Sequence, residues 1–289
     1  MIAMAKLKIG CIQLCPGNDM DANLAAIRTQ VAAAAQAGAR LIALPEFAAF
    51  LDRSGRAMAQ AASGMEQHPA LPVLQACARR HGVWLLVGSL TVKLPEPSHK
   101  LVNRSLLLDA KGCIAAQYDK VHLFDARLPD GRDIAESRAY QAGTHATLAD
   151  TPWGPVGLSI CYDLRFPALY RRLAQAGAMV LCVPAAFARE TGRAHWHALL
   201  RARAIENGCY VVAAATCGEH PGPWQTFGHS LVVDPWGTII AEAGDAPEVL
   251  LCELDLDQVA HTRAALPALA HDRSFDLRRF PSPNLLART

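Results

Sequence analysis

The sequence predicts an α/β protein, and three observations carry that prediction. Short β-prone apolar runs alternate with longer alanine-rich stretches of helical spacing. Glycines stand just past several of the helical stretches, where a left-handed residue ends a helix. Two hairpin signals of like make-up fall in opposite halves, Leu106–Ile114 and Val232–Ile239, each a strand, an Asp, a turn closed by Gly, and a second strand. That recurrence points to a duplicated arrangement of sheet plus helices.

Along the chain, strands are expected at Lys8–Gln13, Leu41–Leu44, Val83–Val87, Arg104–Leu108, Val156–Ile160, Val180–Val183, Tyr210–Ala214 and Ser230–Val233. Helices are expected at Asn23–Ala37 before Gly38, at Pro69–Arg80 before Gly82, and at Ala168–Ala176 before Gly177. A fourth, Ala194–Asn207, carries Leu199, Leu200 and Ile205 among arginines. The stretch Ala126–Ile134, with Pro, Gly and mixed charge, reads as a mobile surface loop. No low-complexity linker divides the chain, so residues 1–289 are expected to form one domain. The last residues, Ala270–Thr289, lack periodicity and read as a tail that packs on another surface.

Composition narrows the function classes. Of 289 residues, 52% are hydrophobic and 19% charged, which suits a compact globular chain with a large core. A formal net charge of +2, with both signs interspersed, offers no attraction for nucleic acid or an anionic membrane. With no apolar segment of signal-peptide or membrane-span length, the expected address is the cytoplasm. The nine cysteines are an odd number, mostly within apolar runs and never spaced C-x-x-C. They read as reduced thiols, not as a disulfide framework or a zinc site.

Chemistry in an α/β layout gathers at strand ends. Leu41-Ile-Ala-Leu-Pro45 delivers Glu46, Ile114-Ala-Ala-Gln-Tyr118 delivers Asp119 and Lys120, and Val156-Gly-Leu-Ser-Ile160 delivers Cys161. Taken singly, each has an ordinary explanation as a solvated loop residue or a core thiol. Cys161 stands out because Pro167 favours a helix start just downstream, where free N–H groups stabilise a thiolate or an oxyanion. A Cys–Glu–Lys set supplies a nucleophile, a base and a charge for the developing oxyanion. A serine-hydrolase elbow is excluded, because Gly157-Leu-Ser-Ile-Cys161 breaks G-x-S-x-G at its last position. His195-Trp-His197 lacks metal-ligand spacing and reads as packing or loop groups, so no metal is expected.

Five motifs in order resemble the nitrilase superfamily of carbon–nitrogen hydrolases, in its Nit branch. They are Leu44-Pro-Glu-Phe47, Tyr118-Asp-Lys-Val-His-Leu-Phe-Asp125, Gly157-Leu-Ser-Ile-Cys-Tyr-Asp-Leu-Arg-Phe-Pro167, Ala194-His-Trp with Leu200-Arg-Ala-Arg-Ala-Ile-Glu-Asn207, and Gly228-His-Ser-Leu-Val-Val-Asp-Pro-Trp-Gly237. The resemblance implies a four-layer α-β-β-α sandwich. It implies Glu46 as general base, Lys120 as oxyanion support, Cys161 as nucleophile and Glu136 as a second, positioning glutamate. Tyr162, Arg165, Phe187 and Thr191 are the implied substrate contacts. No cofactor is implied, and a homodimer or higher oligomer is, with the tail packed at its interface. The implied activity is hydrolysis of a small amide acid, leaning toward deaminated glutathione, with an ω-amidase acting on 2-oxoglutaramate as the alternative. A non-catalytic binding protein on the same fold is the rival class, and the presence of all four catalytic positions weighs against it. One departure is His197, where such relatives carry glutamate, a change expected to alter pocket charge. Of the nine thiols, Cys161 is expected to be the fast-reacting one.

Overall fold

The computed structural model describes residues 6–54, 56–128, 131–222 and 224–280. In chain order the first half contains β1 (Leu7–Gln13), α1 (Met20–Gln36), β2 (Leu41–Ala43), α2 (Ala57–Ala61), α3 (Ala70–His81), β3 (Trp84–Lys93), β4 (Leu101–Leu108) and β5 (Ile114–Asp119). A small pair follows, β6 (Asp125–Arg127) and β7 (Asp133–Ala135), then β8 (Thr147–Ala149), β9 (Val156–Leu158), α4 (Pro167–Gln175), β10 (Val180–Cys182) and α5 (Arg189–Asn207). The remainder is β11 (Tyr210–Ala213), β12 (Cys217–His220), β13 (Trp224–Phe227), β14 (Leu231–Val233), β15 (Ile239–Glu242), β16 (Glu248–Leu254) and α6 (Asp257–Ala265).

Two six-stranded sheets result, ordered β16-β1-β2-β3-β4-β5 and β8-β9-β10-β11-β14-β15. Both have the same grammar: an antiparallel edge strand, three parallel strands, then an antiparallel hairpin. The duplicated layout signalled by the two hairpins is therefore real at the level of topology. Side-chain alternation with a period of two sorts each strand between faces. Ile9, Cys11, Leu41, Ala43, Leu86 and Leu107 share one core with Leu158, Val180, Val211 and Val232 of the other sheet. Ile12, Ile42, Leu85, Val87 and Leu106 turn the other way, onto Leu24, Ile27 and Val31 of α1 and Leu74 and Ala78 of α3. On the far side, Tyr170 and Leu173 of α4 and Trp196 and Leu200 of α5 cover the second sheet. The layers are thus helix, sheet, sheet, helix.

Local signals explain the boundaries. Asp19 caps α1 by accepting the Ala22 N–H at 3.0 Å, and Gly82 ends α3 at φ 60°. Pro167 opens α4. The stretch read as a mobile loop is instead a hairpin: β6 and β7 pair antiparallel from Asp125↔Ala135 to Arg127↔Asp133, with residues 129–130 outside the described set. Charge and turn residues concealed three-residue strands too short to show alternation. Helix α5 starts at Arg189, five residues before its expected start, because its polar first turn lacks the apolar spacing that marked the rest. Within the tail, residues 270–280 form no element and are exposed, while 281–289 lie outside the described residues.

Two glycines let the chain approach itself where functional residues leave the sheet. A methyl on Gly88 in β3 would overlap the carbonyl oxygens of Leu44 and Pro45, just before Glu46. A methyl on Gly143 would overlap the Asp119 carbonyl, just before Lys120. Gly88→Ala is therefore expected to destabilise the protein by about 3 kcal/mol and to displace Glu46. Thermal unfolding of the variant, compared with that of a surface Gly→Ala control, checks this.

Candidate active site

The C-terminal ends of β2, β5, β9 and β10 converge at one edge of the sandwich, as strand-end chemistry requires. Glu46 leaves β2 through Leu44-Pro45, Lys120 follows β5, Cys161 follows β9, and Pro184-Ala185-Ala186 follows β10. All four side chains named from the sequence as catalytic are buried here: Glu46 at 1%, Lys120 at 2%, Glu136 at 5% and Cys161 at 8% exposure.

Lys120 is the hub. Its Nζ donates to Glu46 Oε1 at 3.1 Å and to Glu136 Oε2 and Oε1 at 2.9 and 3.2 Å. Glu46 also accepts from Asn103 Nδ2 at 2.8 Å on Oε1 and from the Ala186 N–H at 2.7 Å on Oε2. Glu136 Oε2 accepts the Phe124 N–H at 2.7 Å, which pins the segment after Lys120. Burial opposes the lysine's charge, but Glu136 and then Glu46 outweigh it and hold the ammonium far above its ordinary range. Burial likewise opposes ionisation of Glu136, and Lys120, Arg53 and the Phe124 amide reverse that, leaving it below the usual carboxylate range.

Cys161 occupies a tight elbow. Its φ is +47°, a left-handed conformation that costs a non-glycine residue about 1–3 kcal/mol. It begins a 3₁₀ turn over Cys161–Arg165 that precedes α4. The helix does start at Pro167 as expected, but the expectation that its free N–H groups stabilise the thiolate needs correcting, because this turn intervenes and the Cys161 N–H is already bound to the Pro184 carbonyl at 2.9 Å. Asp163 holds the elbow together. Its fully buried carboxylate accepts from the Ile160 N–H at 2.9 Å, from Tyr118 Oη at 2.8 Å and from the His122 N–H at 3.0 Å, and lies 2.7 Å from His122 Nδ1. The nucleophile turn is thereby tied to both sides of Lys120.

The thiol lies beside the Glu46 carboxylate and the Ala186 amide, which bond to each other at 2.7 Å. Burial raises the thiol well above its ordinary range, the Glu46 charge adds to this, and Lys120 offsets only part. The sequence reading expected a helix-stabilised thiolate; the resting group is a protonated thiol. Its ionisation has to accompany proton transfer to a base.

A cleft above Cys161 is lined by Glu46, Lys120, Tyr162, Arg165, Phe187 and Thr191, together with Arg53, Phe124, Ala186, Ala188 and Trp224. All four expected substrate contacts thus lie on its wall. Arg165 rests 5.2 Å from the Phe187 ring, and Arg53 lies 5.3 Å from the Phe47 ring and 5.2 Å from the Trp224 ring. Sequence reading missed Arg53, Trp224, Asn103 and Asp163. Asn103 left a signal, a polar residue inside the apolar run of β4, and Asp163 sits inside a quoted motif. Arg53 and Trp224 lie in segments without periodicity. His197 does not line the cleft: its Nε2 lies 2.7 Å from Glu242 Oε1, while His195 Nδ1 lies 3.2 Å from Arg165. His197 thus adds no charged group to the cleft wall.

The sequence profile of the carbon-nitrogen hydrolase family matches residues 8–264. The chain belongs to the carbon-nitrogen hydrolase family. It is accordingly a hydrolase of amide C–N bonds, with the nitrilase-type sandwich. It is 41% identical over 275 residues to a deaminated glutathione amidase of Yersinia enterocolitica, covering 93% of this chain and 94% of the relative. Among solved structures it resembles Saccharomyces cerevisiae Nit3, a nitrilase-superfamily member, with TM-score 0.83 and 30% identity over 92% of this chain and 96% of the other. It also resembles a Nesterenkonia amidase whose active-site cysteine carries the acetamide moiety of fluoroacetamide, with TM-score 0.75 and 31% identity over 90% and 95% of the two chains.

The burial of Cys161 revises its expected reactivity toward reagents. Cys15 and Cys113 are exposed and should react first with bulky, charged thiol reagents. Cys161 should react with a small haloacetamide, saturably and with protection by substrate, because such a reagent presents an amide to the cleft. With non-amide reagents its rate should rise only at alkaline pH, since its folded thiol titrates above the usual range. Peptide mapping of labelled protein across pH checks both outcomes.

Proposed function

We infer that Cys161, Glu46 and Lys120 hydrolyse a small amide acid through a thioester, with Glu136 positioning Lys120, and that the substrate is deaminated glutathione. The observation that carries this reading is the cation-rich wall around the thiol, two arginines stacked on aromatic rings beside a buried Glu–Lys–Glu cluster.

In the proposed sequence, Cys161 Sγ attacks the amide carbonyl carbon while its proton passes to the Glu46 carboxylate. The carbonyl oxygen becomes an oxyanion between Lys120 Nζ and the Tyr162 N–H, which sits in the first turn of the 3₁₀ segment and has no intrahelical acceptor. Lys120, held charged by its two carboxylates, serves as a permanent cation and not as a base. Collapse of the intermediate breaks the C–N bond as Glu46 returns the proton to the leaving nitrogen. Water then gives a proton to Glu46 and attacks the thioester, releasing the acid and restoring the thiol with that proton. No metal or cofactor takes part in these steps.

Deaminated glutathione joins a 2-oxoglutaryl group to cysteinylglycine, so it carries a carboxylate at each end. Arg165, beside Tyr162, suits the carboxylate of the acyl part. Arg53 and Trp224 also line an adjoining open groove, walled further by Arg56, Arg132, Glu136 and Tyr140, along which a dipeptide-sized leaving group can lie. That room favours this substrate over 2-oxoglutaramate, which releases only ammonia. The nine free cysteines suit a reducing cytoplasm, and no helix among the described residues is long and apolar enough to cross a membrane.

Cys161→Ala should abolish turnover with the fold intact by circular dichroism. Across deaminated glutathione, 2-oxoglutaramate, glutamine and simple aliphatic amides, kcat/KM should be highest for the first. Arg165→Met should lower that value about 100-fold, as loss of one charge-assisted contact predicts. Higher kcat/KM for 2-oxoglutaramate would overturn the substrate while leaving the mechanism.

The same reading includes a homodimer or higher oligomer. Ile205 on α5, Trp236 and Leu266 are exposed at 51%, 60% and 59%, and Phe275, Leu277 and Phe280 of the tail more so. Such apolar exposure suits a covered face. Sedimentation equilibrium should give a mass of at least twice 31.0 kDa, and a 31.0 kDa species at micromolar concentration would refute it.

A further inference from the structure

The two histidines of His195-Trp-His197 do not act as a pair, yet His197 meets a different set of ligand-type groups. His197 on α5, His229 just before β14 and Glu242 at the end of β15 bring three ligand atoms within 4.8 Å of one another. His197 Nε2 lies 2.7 Å and His229 Nδ1 2.9 Å from the same oxygen, Glu242 Oε1. On the far side of its ring, His229 Nε2 lies 3.3 Å from Asp245 Oδ1. His229 is held there by a left-handed backbone, φ +54°, and by stacking on Phe227 with ring centroids 4.4 Å apart.

We propose that His197, His229 and Glu242 form a zinc site behind the cleft wall, separate from the amidase centre. Two imidazole nitrogens and one carboxylate oxygen, from three elements, are a three-ligand set for a tetrahedral ion with water in the fourth place. Zinc bonds to such atoms are about 2.0–2.2 Å long, which spaces the ligands about 3.4 Å apart. The two spacings to Glu242 therefore open by about 0.5–0.7 Å, a change within side-chain adjustment at a partly exposed site. Asp245 supplies what a ligating histidine needs beyond the metal: accepting the Nε2 proton leaves the Nδ1 lone pair facing the ion. Glu242 and Asp245 together balance the charge of a divalent cation. Imidazole and carboxylate ligands without thiolate suit zinc over a softer ion such as Cu(I).

The site would brace the amidase. Trp196, next to His197, donates its indole N–H to the His229 carbonyl at 2.8 Å and packs against Phe187 with ring centroids 5.2 Å apart. The Phe227 N–H donates to the Phe187 carbonyl at 2.9 Å. An ion joining α5 to the ends of β14 and β15 thus clamps two supports of a cleft-wall residue.

The test uses chelator-stripped full-length Cys161→Ala protein, so that the cleft thiol cannot capture metal. ZnCl₂ is titrated by calorimetry and CoCl₂ by visible absorption. The expected result is one equivalent bound, a tetrahedral cobalt spectrum without thiolate charge-transfer bands, and a rise in Tm with zinc. His197→Gln and Glu242→Gln, each added to Cys161→Ala, should weaken binding at least tenfold and abolish the Tm rise while keeping the native circular dichroism spectrum. The absence of saturable binding, equal affinity in both variants, or a thiolate-type spectrum unchanged by them would overturn the site.

Discussion

The burial of one positive charge between two negative ones is the constraint on which the rest depends. Lys120, Glu46 and Glu136 are almost completely removed from water. Each such ion carries a desolvation penalty of several kcal/mol unless its remaining hydrogen-bonding capacity is met. Meeting it recruits the surrounding backbone: the Ala186 amide from the second sheet, Asn103 from the first, and the Phe124 amide beyond Lys120. The ends of both sheets are thereby brought to one point. The packing of the sandwich and the electrostatics of the cluster are a single arrangement, and neither stands without the other.

Cys161 is fitted into that arrangement at a local cost. Its left-handed backbone is held by Asp163, which spends every oxygen on the elbow and on the chain around Lys120. What the elbow provides is direction: the thiol faces Glu46 and the cleft instead of the interior. The other buried thiols, Cys11, Cys77, Cys182, Cys209 and Cys217, are also pushed upward by burial, to about 12 for Cys182 and about 11 for Cys209. A raised thiol is therefore not what distinguishes Cys161. The distinction is a carboxylate within proton-transfer reach and a cation beside it.

The cleft and the histidine cluster divide the charged groups of α5 and its neighbours into two uses. Arg165 lies over the Phe187 ring on the cleft wall, whereas His197, His229 and Glu242 gather in a cluster outside the cleft lining. Trp196, fully buried, donates to the His229 carbonyl and packs against the Phe187 ring, and so links the two groups. His197 therefore belongs to the cluster around Glu242 and not to the cleft wall.

The alternation of short apolar runs with alanine-rich periodic stretches determined the α/β class, because side-chain period is a local property. The paired hairpin signals foretold the shared topology of the two sheets for the same reason. Glu46, Lys120 and Cys161 were legible as strand-end groups, but their partnership and that of Glu136 came only from resemblance to known motifs. Tertiary structure decided what local pattern cannot encode. It set Asn103 against Glu46 across two strands and Asp163 against Tyr118 and His122. It drew Arg53 and Trp224 from aperiodic segments onto one cleft, and it parted His195 from His197 although only one residue separates them. It also turned an expected helix-stabilised thiolate into a buried thiol, because protonation depends on desolvation and on charges brought near from distant parts of the chain.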